Sequence, residues 1–446
     1  MLNPWLSGIL APSSCSRPAA RMSTIDSLPN ELLSPIFLDC LTERVLIRVP
    51  LDLNQPPWIL SRVCSKWRAV AFSAPNLWSY LQIQIVPTNS RSFQNHEKNM
   101  KDILQRSGRA LLSLSLTSVY NNFNPDELHA LVPHLPRLRE LDIVGLPGGL
   151  FSFLPSSLPF LEKVSVSRIF DFGTSTFSLK EAPRLREATF TSCTLSSLPF
   201  MLPLSQIAII AFPNLSLDPV DVLRLLVQCH SLVECRLHIN NPTIANPDVV
   251  QNRLNLPLRH TIPFLSFFHL ELEWSFNDEL DLTDFQILSL PHLSHFELDG
   301  TARSFEWFRA ILSSGTNLEV LHLSNFRGEI ADEMRSILES APSLRMLKVD
   351  VATFQKVIKT RGLLDLLPKL ETLHLPLPRT AALLDLRMVN LTADALDQRR
   401  AESCSPTRIP RLVFQAPEHI SASTFPRLEK MKEAGWEIDV VTQTSG

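Results

Sequence analysis

Two cysteines and two histidines lie close together near the middle of the chain. Cys229, His230, Cys235 and His238 offer thiols and imidazoles, which are the ligand types that zinc prefers. The cysteines are six residues apart across a predicted junction between a helix and a strand, however, and that is not a usual arrangement of zinc ligands. Cys235 also occupies an inward strand position. We therefore predict two buried structural thiols and no metal site.

Histidines and carboxylates interleave in the C-terminal half of the chain. The residues concerned are His269, Glu271, His295, Glu297, Asp299, His322 and His374. Histidine titrates near neutral pH and carboxylates are negative, so their alignment on one face would form a docking surface for a basic or hydrogen-bonding segment of a protein target. The alternative is an ordinary solvated strand face. A metal site built from these histidines is a third and less favoured interpretation.

The motifs that carry common enzyme chemistry are absent from the sequence. It contains neither a phosphate-binding G-x-x-x-x-G-K-[ST] or G-x-G-x-x-G loop nor an H-E-x-x-H or G-x-S-x-G motif. With 12 glycines, few backbone positions could cradle a phosphate. We expect no catalytic residues and no cofactor. An unrecognised enzyme would instead have a deep pocket lined by convergent polar groups.

A repeated leucine pattern predicts how the histidines and carboxylates are positioned. The pattern Leu-x-x-apolar-x-apolar begins at Leu111, Leu138, Leu161, Leu185, Leu204, Leu232, Leu265, Leu293, Leu318, Leu344 and Leu370. Spacings run from 19 residues, between Leu185 and Leu204, to 33 residues, between Leu232 and Leu265. Most fall in the range of about 20 to 29 residues that is typical of leucine-rich repeats. Each unit predicts an inward-alternating strand and a return segment.

Proline and apolar periodicity predict the return segments. Proline stands two residues before many of the leucines, where it ends one segment and favours extended backbone in the next. Helices are predicted for the return segments from Pro219 to Cys229, Phe305 to Ser313, Ala331 to Ser340 and Phe354 to Leu367. A final helix from Pro426 to Ala434 and a strand from Trp436 to Val440 would close the array.

Two apolar helical stripes lie upstream of the repeats. The first contains Leu32, Leu33, Ile36, Phe37, Cys40 and Leu41, and the second contains Ile59, Leu60, Val63, Trp67, Val70 and Ala71. Because Pro35 would interrupt a helix, we expect Ser34 to cap a helix that begins at Pro35. The second helix should run between Pro57 and Pro75. Two short helices cannot bury both stripes on each other, so the remainder must face the chain or a partner.

The sequences Leu28-Pro29-x-Glu31-Leu32-Leu33 and Val63-Cys64-x-x-Trp67-Arg68 resemble an F-box. That resemblance implies a helical module that docks a Skp-type adaptor and, through it, a cullin ubiquitin ligase. The adaptor-binding residues that it implies are Leu28, Pro29, Leu32, Ile36, Phe37, Val63, Cys64 and Trp67. The segment from Thr42 to Pro56 is longer than the usual link, so the middle helix should be displaced. The alternative is a helical cap on the repeats, without a partner.

The repeats resemble the leucine-rich-repeat half of the large fungal class of F-box proteins. The expected fold is therefore α/β, with a short α-helical F-box followed by an irregular leucine-rich-repeat solenoid of curved parallel sheet and return helices. The resemblance implies the substrate-recognition subunit of a Skp-cullin-F-box ubiquitin ligase, in which the repeats bind an unknown protein target. A non-degradative leucine-rich-repeat scaffold is the alternative.

The motifs and repeats divide the chain into regions. The expected regions are a disordered leader (1–22, or translation from Met22), an F-box-like domain (23–82), a connecting helix or linker (83–108), a repeat array (109–378), an irregular insertion (379–410) and a C-terminal cap (411–446).

Composition limits the partners of the chain. A net charge of −3 gives no reason to expect nucleic acid or an anionic membrane as partner. Seven scattered cysteines favour free thiols, and no apolar run reaches membrane-spanning length. We expect a cytoplasmic or nuclear protein.

Overall fold

The protein is α/β, and its sheet is parallel. The computed structural model describes residues 28–41, 45–47, 54–85, 93–118, 125–146, 154–155, 157–168, 178–192, 201–239, 259–272, 281–300, 304–314, 317–325, 331–351, 353–354, 366–376, 383–402, 411–417 and 426–443. The predicted leader, 1–22, lies outside these residues. Within the described residues, fifteen strands form one sheet whose spatial order follows the order of the chain.

The strands are short. In chain order they are β1 (Val45–Ile47), β2 (Tyr80–Ile85), β3 (Leu112–Ser118), β4 (Leu138–Val144), β5 (Lys163–Ser167), β6 (Glu187–Thr191), β7 (Ile209–Leu217), β8 (Glu234–Ile239), β9 (His260–Thr261), β10 (Phe267–Leu272), β11 (Leu288–Ser289), β12 (His295–Asp299), β13 (Val320–Ser324), β14 (Met346–Val349), β15 (Thr372–Pro376), β16 (Arg411–Pro417) and β17 (Ile438–Gln443). Strands β9 and β11 pair with each other in a separate parallel ribbon.

Helices and segments of 3-10 helix connect the strands. The α-helices of the described residues are α1 (Asn30–Asp39), α2 (Leu60–Val63), α3 (Ser65–Ser73), α4 (Phe93–Arg106), α5 (Pro219–Gln228), α6 (Glu306–Ser313), α7 (Ala331–Glu339), α8 (Leu383–Glu402) and α9 (Pro426–Glu433). Helices α5, α6, α7 and α9 confirm four of the predicted helices. Most of the helix predicted from Phe354 to Leu367 lies outside the described residues.

Alternation along each strand separates the core from the opposite face of the sheet. In β10, Phe268, Leu270 and Leu272 are buried, while His269 and Glu271 lie on the other face and are only half-buried. One hydrophobic core follows the inward positions from the first helix to β17. The leucine that precedes each strand is generally buried in this core, which confirms the main repeat register.

Two repeats depart from the predicted register. Leu111 is exposed, and Leu112 takes the buried position opposite Leu138 because the pairing of β3 with β4 shifts after Leu112. In the repeat assigned to Leu204, the inward positions are Ile207, Ile210 and Phe212, since residues 204–206 form a 3-10 turn. In the first of these repeats only the anchor differs, since Leu114 and Leu116 are buried as predicted. In the second, Ile209 is only half-buried and Ile210 takes the inward position.

The helices near the N-terminus also differ from prediction. Helix α1 continues through Pro35, which is exposed, so the hydrogen bond that proline cannot donate is missing on the solvent side. The expected helix from Pro57 to Pro75 is divided at Cys64, which has extended backbone. The Sγ atom of Cys64 accepts a hydrogen bond from the Trp67 amide and begins α3.

The helical region joins the same core as the sheet. Strand β2 crosses the boundary expected at residue 82, and β1 lies within the segment expected to displace a middle helix. Helix α4 reaches back through Arg106, whose guanidinium carbon lies 4.3, 4.8 and 5.3 Å from the rings of Phe72, Trp78 and Trp58. These cation–π contacts attach α3 and the turn after it to the first long return helix.

Several strands end in a residue with left-handed backbone. Positive φ angles occur immediately after β4, β5, β6, β12 and β13, at Gly145, Arg168, Ser192, Gly300 and Asn325. The amides of Gly145, Arg168 and Gly300 each donate to the last carbonyl of the next strand, at 2.9 to 3.0 Å. The turn therefore extends the ladder by one bond and directs the chain away from the sheet.

Gly300 provides a test of this turn. Its φ is +110°, and a Cβ atom would lie 2.5 Å from the Leu272 carbonyl oxygen. Gly300→Ala should destabilise the protein by roughly 3 kcal/mol, because backbone strain and a backbone clash coincide. Gly108→Ala is the control, since its φ is also positive but the nearest atom is 3.8 Å away; it should cost only about 1 kcal/mol. If both variants lose the same stability in thermal unfolding, the close approach of residue 300 to the Leu272 carbonyl is contradicted.

Candidate functional site

Three apolar side chains of the F-box-like motif face outward. The exposed fractions are 52% for Leu32, 41% for Ile36 and 58% for Val63. Leu32 and Ile36 are four residues apart on α1 and therefore lie on the same side of that helix. Helix α1 buries its other apolar pair, Leu33 and Phe37, against the core. We call Leu32, Ile36 and Val63 the helical apolar surface.

The other residues implied by the F-box resemblance have different placements. Phe37 is fully buried, and its ring centroid lies 4.9 Å from that of the partly buried Trp67, so this pair packs within the module. Leu28 is also partly buried against the core, and Lys66 Nζ donates to its carbonyl at 2.6 Å. Pro29 is exposed, while Cys64 is half-buried and caps α3.

Two further apolar residues are exposed but were not among the predicted adaptor-binding residues. Ile59 is 43% exposed and Phe72 is 39% exposed. Ile59 precedes Val63 by four residues, and the sequence placed both in the second apolar stripe. Phe72 gave no such signal, because its contact with Arg106 depends on the position of α4.

The predicted histidine and carboxylate residues do meet on the sheet. His269, Glu297 and His322 are aligned across β10, β12 and β13, and the row continues through Lys348 to His374. Glu271 pairs in register with Asp299, while His295 pairs with Phe267 in a third row. The histidine–carboxylate face is therefore defined by His269, Glu271, His295, Glu297, Asp299, His322 and His374.

Glu297 links two histidines across three strands. His269 Nδ1 lies 2.8 Å from Glu297 Oε2, and His322 Nδ1 lies 3.7 Å from Oε1. The first contact is a hydrogen bond, and we treat the second as an electrostatic contact because of its length. Donation from His269, then the neighbouring His322, holds the pKa of Glu297 well below its usual range despite partial burial. Glu297 is therefore ionised and already engaged.

The C-terminal end of this face is more cationic. His374 pairs in register with Lys348, and burial lowers the pKa of His374, with Lys348, Arg411 and His322 lowering it further. Arg411 is itself paired with Asp439 on β17. Positive charge on one side of Glu297 thus contrasts with the carboxylate pair Glu271 and Asp299.

The cysteine–histidine group near the middle of the chain does not converge. Cys229 and Cys235 are buried, as predicted, and His230 is exposed. Burial raises the pKa of Cys229 to about 12 and that of Cys235 well above its usual value, so both thiols remain protonated. Within the described ranges, no three His, Cys, Asp or Glu residues are grouped so that they could hold a metal ion.

Comparison with known proteins assigns no family to this chain. No family model matches it, and no curated protein matches its sequence. In the part of the chain that the structure describes, no helix has both the length and the apolar character needed to cross a membrane. The two surfaces must therefore be interpreted from their own chemistry.

The Glu297 contact predicts a specific pH dependence of stability. A depressed carboxylate pKa contributes stability that is present above the ordinary glutamate pKa and is lost as the pH falls through the folded-state pKa. Glu297→Gln should lower the free energy of unfolding by roughly 1 kcal/mol at neutral pH. The difference in this free energy between the wild type and the variant should become smaller below about pH 4.5. Thermal unfolding across this range measures the effect.

Glu271→Gln is the matched control for that measurement. Glu271 lies on the same face but makes no hydrogen bond to a described histidine. We expect this substitution to lower the unfolding midpoint less at neutral pH. A wild-type advantage over Glu297→Gln that widens steadily down to pH 3 would contradict the assigned role of the Glu297 carboxylate.

Proposed function

We propose that this chain is the substrate-recognition subunit of a Skp-cullin-F-box ubiquitin ligase. A Skp-type adaptor would cover the helical apolar surface, and a cullin would join through the adaptor. The sheet would hold a protein target. The chain would catalyse nothing itself, because ubiquitin transfer would be promoted by holding the target near the loaded ubiquitin carrier.

The exposure of Leu32, Ile36 and Val63 is the observation that carries this proposal. These residues belong to the two sequence motifs that resemble an F-box, and between 41% and 58% of each remains exposed although the rest of both stripes is largely packed. Isolated surface leucines are ordinary, but exposed apolar residues on both helices that carry the F-box-like motifs are typical of an interaction site. An adaptor would remove this surface from water.

The order of the strands supports a leucine-rich-repeat solenoid as the target-binding half. In the part of the chain that the structure describes, fifteen parallel strands follow one another in chain order, and inward leucines recur with a strand and a return segment between them. Repeat proteins of this kind bind partners on extended sheet faces. A cytoplasmic or nuclear location is part of the same proposal, since the adaptor and cullin would be met there.

Adaptor capture tests the helical apolar surface directly. Changing Leu32, Ile36 and Val63 together to Ser should abolish pull-down of a Skp-type adaptor, because buried anchors typically contribute about 2 kcal/mol or more to binding. The fold should survive, since these side chains are exposed. The measurement is adaptor recovery by the full-length chain, with thermal unfolding as the check on folding.

The control variant changes Val233, Leu391 and Val441 to Ser. These side chains are 41%, 49% and 48% exposed but lie outside the motifs. If the motif variant still recovers the adaptor, or if the control variant loses adaptor recovery to the same extent, the proposed adaptor-binding surface is wrong. Co-purification of a cullin with the wild type separates a ligase subunit from a non-degradative scaffold, which would bind the adaptor or another protein without it.

A further inference from the structure

Two carboxylates stand side by side on the histidine–carboxylate face. Glu271 on β10 pairs in register with Asp299 on β12, so their backbones are one strand spacing apart, about 4.8 Å. Asp299 Oδ1 accepts from the side-chain amide of Asn325, while Glu271 has no hydrogen bond or ion pair with any described residue. Adjacent like charges on a sheet repel each other, and a cation between them would remove that repulsion.

His269 adds a fixed acceptor beside this pair. An ionised Glu297 can only accept, so the 2.8 Å contact places the proton of a neutral His269 on Nδ1. The Nε2 atom of the same ring is then an acceptor. Three acceptors, from His269, Glu271 and Asp299, thus occupy neighbouring positions on two strands.

The same face already binds one arginine of the chain itself. The Arg236 guanidinium carbon lies 4.6 Å from the ring centroid of Phe267, and Arg236 Nε donates to Glu234 at 2.8 Å. Phe267 is on β10, two residues before His269. An aromatic ring together with a carboxylate is therefore a combination that holds guanidinium on this surface.

We propose that His269, Glu271 and Asp299 form the docking position for an arginine side chain of the target segment. This inference rests on the proposed function, because it names the chemistry of the target. Arginine fits better than lysine, since a planar guanidinium presents five donors in a fork that can reach carboxylates on adjacent strands, whereas an ammonium is a compact point charge. An acidic segment would meet like charge.

Binding should weaken in salt. Exposed charges are screened over about 8 Å at physiological ionic strength and over about 3 Å at 1 M, so the attraction between the carboxylates and an arginine would fall. The charged and titratable groups on the surrounding strands are Glu234, Arg236 and His238 on β8, His295, Glu297 and Asp299 on β12, and beyond them His322 on β13 and Lys348 on β14.

The test uses the full-length chain and three end-blocked peptides that alternate glycine with arginine, lysine or glutamate. At about pH 7.5 and physiological ionic strength, the arginine peptide should bind the most tightly, and Glu271→Gln with Asp299→Asn should weaken it about tenfold or more. Asp142→Asn is the matched control on β4, where the carboxylate accepts from Ser115. It should leave the affinity unchanged.

Salt provides the second measurement. At about 1 M ionic strength the affinity of the wild type for the arginine peptide should fall severalfold. Equal binding by the double variant, preference for the glutamate peptide, or an affinity that does not fall in salt would overturn the inference. Adaptor pull-down is measured on the same proteins. If the wild type does not recover the adaptor, the proposed function is wrong, whereas failure of the peptide tests with normal adaptor recovery counts only against the arginine site.

Discussion

The in-register parallel ladder is the constraint on which the rest of the structure depends. Parallel neighbours cannot be joined by a tight turn, so every strand needs a return segment that crosses back over one face of the sheet. That segment buries the inward side chains, as Phe268 and Leu270 are buried on β10. The opposite face then remains for polar residues, and register alone brings His269, Glu297 and His322 into one row.

The ladder also determines what the helical region can expose. Strand β2 places Leu81 and Ile83 in the core, and Arg106 secures α4 over the aromatic rings beside it. Helices α1, α2 and α3 therefore pack on a surface that is already fixed, and only one side of each stripe can be buried. Leu32 and Val63 are the part left over, so their exposure follows from packing and not from a loose module.

Sequence periodicity predicted the sheet face better than it predicted the helices. A period of two, anchored by leucine, has one register in most repeats, so His269, Glu297 and His322 could be aligned in advance. Leu204 failed because Ile207 offered a competing anchor. The predicted helix boundaries at Pro35 and Cys64 were wrong for a different reason. At Pro35 the backbone hydrogen bond that proline cannot donate is missing on the solvent side, where it costs little, and at Cys64 a thiol caps the next helix. Local propensity identified neither.

The two surfaces differ in how they can be regulated. Apolar burial at Leu32, Ile36 and Val63 depends little on pH or moderate salt, because no charge is involved. The histidine–carboxylate face depends on salt, since exposed charges are screened over about 8 Å at physiological ionic strength. Glu297 is already held by His269, and Asp299 accepts from Asn325, whereas Glu271 makes no hydrogen bond to a described residue and keeps its carboxylate available to a ligand. Under the proposed function, adaptor binding would then be constitutive, and conditions would act on target capture.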